Sequence, residues 1–398
     1  MDITIYPQLL QGDVSIIPSK SQAHRLLICA AFADAPTTLI CPQTNDDIQA
    51  TAACLRAIGA QIQQTPAGYH VVPVTAVPKK ADFPCGESGS TLRFLLPVVG
   101  ALGIDGSFHM EGRLSQRPLS PLWEELERMG CQLSRPTAST LRCTGMLRSG
   151  NFSIDGGVSS QFISGLLFAA ALLRGNSEIQ IHGTLESAPY VAMTQQALQQ
   201  FGCQTTDFRV CGNKQLHSPG LVKIEGDWSN GAFFLAANAL GSRIHIHGLH
   251  ATSYQGDRAI VEILQRMAAF TTVSAANIPD LIPILSVVAA AKKGAVFTDI
   301  RRLRLKESDR VASVIAMLQA LGIHAEATEN TFTVFPGVFR SGSVDAVNDH
   351  RIAMSTAIAA TIAAGPVTIL GCQCVNKSYP SFWEEYAHLG GQYEQYIR

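Results

Sequence analysis

The chain has 398 residues, of which 46% are hydrophobic and 15% are charged, a composition that favours packed domains over disordered segments. This length suits two domains of ordinary size. Thirty lysines and arginines balance 31 aspartates and glutamates, which argues against general binding to nucleic acid. The first ten residues lack the pattern of a secretory signal, and the longest apolar stretches, 166–173 and 281–291, are shorter than a membrane helix. We therefore expect a cytoplasmic protein that binds neither nucleic acid nor membrane.

The ten cysteines are scattered singly, and most lie in apolar segments, as Cys29 and Cys54 do. Such spacing is typical of buried, reduced thiols. It favours neither a disulfide framework nor a zinc site, so we expect no bound metal.

A repeated unit organises the chain. Six times a short polar turn leads directly into a long apolar helix, with these residues in equivalent places: Lys20, Ser90, Ser160, Ser229, Asp280 and His350. The steps between them are 70, 70, 69, 51 and 70 residues. Each unit continues with a β-rich stretch, a second helix and a pair of strands. The second helices end at Gly59, Gly130, Gly202, Ala268, Gly322 and Gly390.

The fourth unit is shorter than the others. From the end of its second helix at Ala268 to the next helix start at Asp280 there are 12 residues, against 27 to 31 elsewhere. The difference is about the length of one β-hairpin. We therefore predict that this unit lacks a hairpin while all six first helices are intact, and that the units stack into larger bodies.

The polar turns carry charged and hydrogen-bonding residues. In chain order they supply Lys20, Ser21 and Arg25; Gly86, Ser88, Gly89, Ser90 and Arg93; Ser159, Ser160 and Gln161; Asp280; and Asp349, His350 and Arg351. A helix start offers N–H donors and a partial positive charge to an anion, and nearby arginines and lysines strengthen the attraction. These turns indicate a site for a small polyanion. A plain N-cap is the alternative reading of Ser90, Ser159, Ser229 and Asp280.

Three further segments add charged residues. Residues 112–122 hold Arg113 and Arg117, residues 301–310 hold five lysines and arginines with Glu307 and Asp309, and residues 374–385 hold Lys377. Each segment alone is typical of a solvated surface. Charged loops that recur with the repeat point instead to a shared ligand.

Nine motifs together resemble the 5-enolpyruvylshikimate-3-phosphate synthase family over essentially the whole chain. They are PSKSQAHR (18–25), CGESGSTLR (85–93), SQRP (115–118), SSQF (159–162), SAPY (187–190), IPD (278–280), RLKESDR (304–310), NDHR (348–351) and NKSYPSFWE (376–384). The resemblance implies an α/β (α+β) fold of two domains. Each would be an inside-out α/β barrel of three helix–strand–helix–strand–strand repeats. It places residues 1–18 and 227–398 in one domain and 19–226 in the other, with a cleft that closes on the substrates.

The resemblance also implies a reaction. The enolpyruvyl group of phosphoenolpyruvate would pass to the 5-hydroxyl of shikimate 3-phosphate, by addition and then elimination of phosphate, without a metal or organic cofactor. The residues expected to bind shikimate 3-phosphate are Lys20, Ser21, Arg25, Ser159, Ser160, Gln161, Ser187, Tyr190, Asp280 and Lys306. Those expected to bind phosphoenolpyruvate are Lys20, Gly89, Arg117, Gln161, Arg310, Arg351 and Lys377.

The resemblance assigns four catalytic residues. Glu307 is expected to deliver a proton to the methylene carbon, and Asp280 to take the proton of the attacking hydroxyl, although these two roles could be exchanged. Lys20 and Lys377 are expected beside the charge of the leaving phosphate. Gly89 implies room for glyphosate, so we expect a glyphosate-sensitive enzyme, and we expect a monomer.

Three departures from the family pattern bear on this interpretation. Glu87 places a carboxylate beside Gly89, where many members have asparagine, and this should weaken anion binding unless Arg93 or another cation neutralises it. Arg302 replaces an asparagine that touches the substrate phosphate in some members. The missing hairpin shortens the connection into Asp280. The alternatives are a catalytically silent protein that still binds shikimate 3-phosphate, and an enolpyruvyl transferase acting on UDP-N-acetylglucosamine.

Overall fold

The computed structural model describes residues 1–213 and 215–396. The chain divides into two compact units. We call Met1–Ile17 with Gly226–Arg398 the terminal unit, and Pro18–Glu225 the inserted unit. The chain passes between them after Ile17 and after Glu225, one residue before the boundaries expected from the sequence.

Helices alternate along the chain between a first and a second helix of each repeat. In the described residues they are α1 Lys20–Ala31, α2 Asp46–Ile58, α3 Gly89–Leu102, α4 Leu122–Arg128, α5 Ser160–Leu172, α6 Ala188–Gln200, α7 Trp228–Ala239, α8 Ile260–Arg266, α9 Ile282–Ala291, α10 Arg310–Ala320, α11 His350–Ala360 and α12 Phe382–His388. The six first helices, α1, α3, α5, α7, α9 and α11, begin within two residues of the predicted starts.

The strands are short, as expected for hairpins and crossover strands. They are β1 Asp2–Tyr6, β2 Gln11–Ser15, β3 Thr37–Ile40, β4 Gln61–Thr65, β5 Gly68–Val72, β6 Lys80–Gly86, β7 Asp105–Met110, β8 Cys131–Thr137, β9 Thr140–Gly145, β10 Asn151–Asp155, β11 Ser177–His182, β12 Thr205–Thr206, β13 Arg209–Val210, β14 Leu221–Lys223, β15 Arg243–His247, β16 Thr271–Ser274, β17 Ala295–Thr298, β18 Ala325–Ala327, β19 Thr331–Val334, β20 Gly342–Asp345, β21 Val367–Leu370 and β22 Gln392–Tyr396.

The inserted unit contains three four-stranded sheets of one pattern. Their strand orders are β14–β3–β5–β4, β6–β7–β9–β8 and β10–β11–β13–β12. In each sheet the first two strands are parallel, and the last two form an antiparallel hairpin after the second helix. A parallel pair needs a crossover connection, and the first helix of the repeat supplies it for β6–β7 and β10–β11.

The terminal unit contains two four-stranded sheets, β16–β17–β19–β18 and β20–β21–β1–β22, and the two-stranded sheet β15–β2. The two-stranded sheet belongs to the fourth repeat, because β15 follows α7 and the chain runs from α8 directly into β16 of the next repeat. The predicted loss of one hairpin from the fourth repeat is therefore confirmed.

Two strands lie directly before the points where the chain crosses from one unit to the other. β2 directly precedes α1 in the chain, yet it lies parallel to β15 in the terminal unit. β14 directly precedes α7, yet it lies parallel to β3 in the inserted unit. Each unit thus contains a strand, β2 or β14, that is followed in the chain by a helix of the other unit, α1 or α7.

The first helices form the interior of each unit. In the terminal unit α7, α9 and α11 contact one another, and in the inserted unit α3 packs along α5. Their approach is close enough that a Cβ on Gly165 of α5 would lie 2.2 Å from the backbone oxygen of Arg93. Each unit has its own hydrophobic core, with apolar helices inside and sheets packed around them. The mixed α/β fold with two units is confirmed.

All ten cysteines are free thiols, and all except Cys211 are buried. Across residues 1–213 and 215–396, no helix combines the length and apolar character required to cross a bilayer.

Candidate active site

Serine side chains cap the three first helices of the inserted unit. The N-caps of α1, α3 and α5 are Ser19, Ser88 and Ser159, and each accepts a backbone N–H of its first turn. The N-cap reading is therefore right for Ser159, but α3 is capped by Ser88 and not by Ser90. In the terminal unit Asp227 caps α7, so the N-cap reading of Ser229 is wrong. The capped starts still offer further N–H donors to an anion.

Lys20, the first residue of α1, forms an ion pair with Asp47 on α2. The Nζ–Oδ2 distance is 3.0 Å, and both side chains are partly exposed. A lysine ammonium has three N–H donors, so Lys20 can bind an anion while Asp47 holds it in place. Asp47 was not among the residues expected at the site.

Arg25 lies one turn further along α1 and is buried. Its Nε donates to Thr194 at 2.8 Å, and its Nη1 and Nη2 donate to the backbone oxygens of Ser21 and Tyr190 at 2.6 and 2.7 Å. Burial lowers the pKa of Arg25 to about 10, so the guanidinium is charged at neutral pH. Arg25 therefore ties together α1 and α6, which carry four of the expected shikimate 3-phosphate residues: Lys20, Ser21, Arg25 and Tyr190.

Ser187 and Ser160 stand at two further helix starts of the inserted unit. Ser187 directly precedes α6 in a left-handed backbone conformation, with φ of 55°, which non-glycine residues adopt mainly where surrounding structure requires it. Ser160 is the first residue of α5, and both side chains are largely buried.

Gln161 on α5 is oriented by two side chains of α3. Its Oε1 accepts from Arg93 Nη1 at 2.8 Å, and its Nε2 donates to Ser90 Oγ at 3.0 Å. Arg93 also donates to the backbone oxygen of Pro118 at 3.1 Å and lies over the ring of Phe162. The buried charge of Arg93 thus links α3, α5 and the loop that carries Arg117.

Gly89 is enclosed by two guanidinium groups. A Cβ at this position would lie 2.7 Å from Nη1 of Arg117 and 2.9 Å from Nη1 of Arg93. Glu87 lies close to Gly112, since a Cβ at Gly112 would lie 2.6 Å from the carboxyl carbon of Glu87. Two guanidinium groups therefore lie at Gly89, two residues after Glu87.

In the terminal unit, Arg310 joins three carboxylates. It is fully buried, and it donates from Nη1 to Asp280 at 2.7 Å, from Nη2 to Glu307 at 2.6 Å and from Nε to Asp349 at 3.2 Å. Burial opposes the charge of Arg310, but Asp349, Glu307 and Asp280 together outweigh it and raise the guanidinium pKa. The two expected acid–base residues are therefore held by the same guanidinium.

Asp280 has two further cationic partners. Its Oδ2 lies 3.2 Å from Arg351 Nη2, and its Oδ1 lies 3.6 Å from Lys306 Nζ. Because α9 begins at Ile282 with Leu281 as its N-cap residue, Asp280 does not cap the helix. Its carboxylate, 21% exposed, and that of Glu307, 26% exposed, remain accessible to a ligand.

Lys306 occupies a crowded cationic site. Burial lowers its pKa to about 8, against the opposing effect of Asp280, while Arg310 and Arg302 lower it further. Lys306 is thus a cation below about pH 8 and becomes neutral above it. Lys377 lies at the end of a short 3-10 segment, where its Nζ donates to the backbone oxygen of Asn348 at 3.0 Å.

Asp47 and Asp257 were not predicted from the sequence, and neither were the partners of Arg93 and Asp349. Asp257 is fully buried, and Ser229 donates to its carboxylate. Burial and the nearby Asp280 raise the pKa of Asp257 to about 6. Asp349 caps α11 and binds Arg310. Asp349 was visible in the sequence as an aspartate near a helix start, but its pairing with Arg310 was not.

Each unit thus presents one cluster of expected site residues. The inserted unit holds Lys20, Ser21, Arg25, Gly89, Arg117, Ser159, Ser160, Gln161, Ser187 and Tyr190. The terminal unit holds Asp280, Lys306, Glu307, Arg310, Arg351 and Lys377. Guanidinium and ammonium groups around serine-capped helix starts can bind phosphate and carboxylate, and the partly exposed carboxylates can transfer protons.

Comparison with known proteins agrees with this architecture. The family profile described as EPSP synthase (3-phosphoshikimate 1-carboxyvinyltransferase) matches residues 6–277 and 269–386. A protein of Clostridium botulinum (strain Eklund 17B / Type B) named 3-phosphoshikimate 1-carboxyvinyltransferase is 35% identical over 425 aligned residues, covering 98% of each chain.

Solved structures share the fold. An EPSP synthase from Acinetobacter baumannii superimposes with a TM-score of 0.81 at 22% identity, over 99% of this chain and 100% of that one. The enolpyruvyl transferase NikO from Streptomyces tendae does so with a TM-score of 0.77 at 19% identity, over 99% and 98%. The fold is thus that of known enolpyruvyl transferases. The chain belongs to the EPSP synthase (3-phosphoshikimate 1-carboxyvinyltransferase) family.

Proposed function

We propose that this chain transfers the enolpyruvyl group of phosphoenolpyruvate to the 5-hydroxyl of shikimate 3-phosphate and releases phosphate. The observation that carries the proposal is the Arg310 cluster, which holds Asp280 and Glu307 together with Lys306 and Arg351 in one unit. Full-length similarity to a protein named 3-phosphoshikimate 1-carboxyvinyltransferase supports it.

In the addition step the 5-hydroxyl oxygen forms a bond to C2 of phosphoenolpyruvate. Asp280 takes the hydroxyl proton and Glu307 gives a proton to C3, so that a methyl group and a tetrahedral ketal phosphate result. In the elimination step Glu307 takes a proton back from the methyl group. The C2–O bond to phosphate then breaks, the proton on Asp280 passes to the released phosphate, and Lys20 and Lys377 stabilise the charge of the leaving group.

The other residues bind the two anions. Ser21, Arg25, Ser159, Ser160, Gln161, Ser187, Tyr190, Asp280 and Lys306 are proposed for shikimate 3-phosphate; Gly89, Arg117, Gln161, Arg310, Arg351 and Lys377, with Lys20, are proposed for phosphoenolpyruvate. We further propose that the protein is a monomer, testable by light scattering. We also propose that it acts in the cytoplasm, because its thiols are those of a reducing compartment.

Phosphate release by the purified chain tests the proposal. Release that requires both phosphoenolpyruvate and shikimate 3-phosphate is expected. Calorimetric binding of shikimate 3-phosphate without release would contradict it and favour a silent homologue, as the shortened fourth repeat suggests. Phosphate release with UDP-N-acetylglucosamine as the acceptor, and none with shikimate 3-phosphate, would instead assign the chain as an enolpyruvyl transferase acting on UDP-N-acetylglucosamine.

Replacing Gly89 by alanine is expected to raise the KM for phosphoenolpyruvate by about 5- to 100-fold, since the methyl group displaces the guanidiniums of Arg117 and Arg93. Inhibition by glyphosate should weaken at least as much. Steady-state kinetics with and without glyphosate measure both effects. Gly365→Ala, in the turn before β21, is the control, and an unchanged KM in Gly89→Ala would contradict the assignment of Gly89.

The pKa of Lys306 predicts a pH dependence. As the pH rises through about 8, Lys306 loses its charge, so kcat/KM for shikimate 3-phosphate should fall by about tenfold per pH unit above that value. Lys306→Arg should keep its charge and remove this decline. Lys293→Arg, at an exposed position after α9, is the control, and a decline that persists in Lys306→Arg would assign it to another group.

A further inference from the structure

His24 is a buried histidine that the proposed reaction does not use. It lies on α1 between Lys20 and Arg25, and its ring is fully buried, with the edge of Phe94 packed near it at a centroid distance of 6.3 Å. Its Nδ1 lies 2.6 Å from Thr51 Oγ1. Its Nε2 has no hydrogen-bond partner in the part of the chain that the structure describes.

Three buried hydroxyls continue from His24 across two helices. Thr51 Oγ1 on α2 lies 2.7 Å from Thr91 Oγ1 on α3. Thr91 Oγ1 donates to Ser88 Oγ at 2.7 Å, with a longer contact of 3.4 Å to the backbone oxygen of Asp47. Ser88 in turn caps α3 by accepting the Thr91 N–H at 3.3 Å. The chain therefore runs from α1 through α2 to the first turn of α3.

The proton positions in this chain follow from counting hydrogens. A hydroxyl has one hydrogen to donate, and we assign that of Thr91 to Ser88 at 2.7 Å, because Thr51 Oγ1, at the same distance from Thr91, can itself act as the donor in its contact with Thr91. Thr51 must therefore donate to Thr91, which leaves Thr51 as an acceptor toward His24. The Nδ1 of His24 must then carry the hydrogen, and Nε2 carries the lone pair.

His24 is also held in its neutral form. Burial lowers its pKa to about 3, against the smaller opposing effect of Asp47, while Lys20 and Arg25 act in the same direction as burial. A neutral imidazole donates from one nitrogen only, so the direction of the chain is the same throughout the working range of an enzyme.

We infer that His24 is a positioning residue for the start of α3: its Nδ1–H sets the direction of the Thr51–Thr91–Ser88 chain and thereby fixes the cap directly before Gly89. The same chain touches the backbone of Asp47, whose carboxylate holds Lys20. The inference rests on the proposed function, because Gly89 and Lys20 are the residues proposed for phosphoenolpyruvate.

Paired variants test this role. His24→Leu removes the donor, and Thr51→Val interrupts the chain at its second member, so each should raise the KM for phosphoenolpyruvate about tenfold while kcat stays within about twofold. His24→Asn places an amide N–H near the position of Nδ1 and should return this KM to within about threefold of the wild type, even where its burial lowers the melting temperature. Thr356→Val, which removes a buried hydroxyl inside α11, is the control for stability alone.

A spectroscopic measurement tests the inference without relying on turnover. In ¹⁵N-labelled protein, the imidazole signal that is absent from His24→Asn should show hydrogen on Nδ1 and none on Nε2, unchanged from about pH 5 to about pH 8. Hydrogen on Nε2, or equal KM values in His24→Asn and His24→Leu, would overturn the inference. If the wild type released no phosphate, the proposed function would fail. The tautomer of His24, and faster hydrogen exchange of the Thr91 amide in Thr51→Val, would then still decide whether the hydroxyl chain fixes the start of α3.

Discussion

Replacing Glu307 by glutamine is expected to lower kcat by about 100- to 10,000-fold, because an amide cannot carry the proton to and from the methylene carbon. The Oε1 of glutamine can still accept the hydrogen bond that Arg310 Nη2 makes to Glu307 at 2.6 Å. The KM for both substrates should therefore stay within about threefold. Steady-state phosphate release at saturating substrates measures the change.

The control for this variant is Glu329→Gln. Glu329 is an exposed glutamate that pairs with Arg301 at 3.1 Å, outside the Arg310 cluster, and its replacement should leave kcat unchanged. A Glu307→Gln enzyme with kcat within about threefold of the wild type would assign the proton transfer to another group.

Replacing Arg310 by leucine is expected to lower the free energy of unfolding of the terminal unit by about 3–5 kcal/mol. The substitution removes a buried cation and leaves its charged partners without compensation. Asp349 is buried as completely as Arg310, and Asp280 and Glu307 lose their shared donor. Urea unfolding followed by tryptophan fluorescence measures the loss. In a Trp123→Phe background the two remaining tryptophans, Trp228 and Trp383, both lie in the terminal unit.

Two variants show whether uncompensated charge is the cause. Arg310→Leu combined with Asp349→Asn should recover part of the loss, because asparagine keeps a capping oxygen for α11 without the charge. Arg304→Leu breaks a partly exposed ion pair with Asp309 at 3.5 Å and an exposed hydrogen bond to the backbone oxygen of Thr328 at 3.0 Å, and it should cost at most about 1 kcal/mol. A similarly small cost for Arg310→Leu would contradict the account of this cluster.

The repeats could be predicted from the sequence because their first helices are apolar on every face, as in the buried stretch Phe162–Ala171 of α5. The step of 51 residues likewise predicted the loss of one hairpin from the fourth repeat, where the structure has a two-stranded sheet. The pairing of β2 with β15 and of β14 with β3 could not be predicted. A strand's local pattern shows which face is apolar, but not which distant strand lies beside it.

The same limit applies to the site. Charges at helix starts, such as Lys20 and Arg351, were visible because cations are rare beside apolar helices. Asp47, the partner of Lys20, was not visible, and neither was the pairing of Asp349 with Arg310, because these groups meet only in the folded chain. The hydroxyl chain from His24 was also hidden, since two threonines and a serine have no distinctive spacing in sequence.

The most direct test of enolpyruvyl transfer is ³¹P NMR of the purified chain with equal amounts of phosphoenolpyruvate and shikimate 3-phosphate. We predict that both signals decline together while inorganic phosphate and one new phosphorylated product rise in equal amounts, because one phosphate leaves and the other is kept. Phosphate formed while the shikimate 3-phosphate signal stays constant would mean hydrolysis. Either that result or no change in any signal would contradict the proposed transfer.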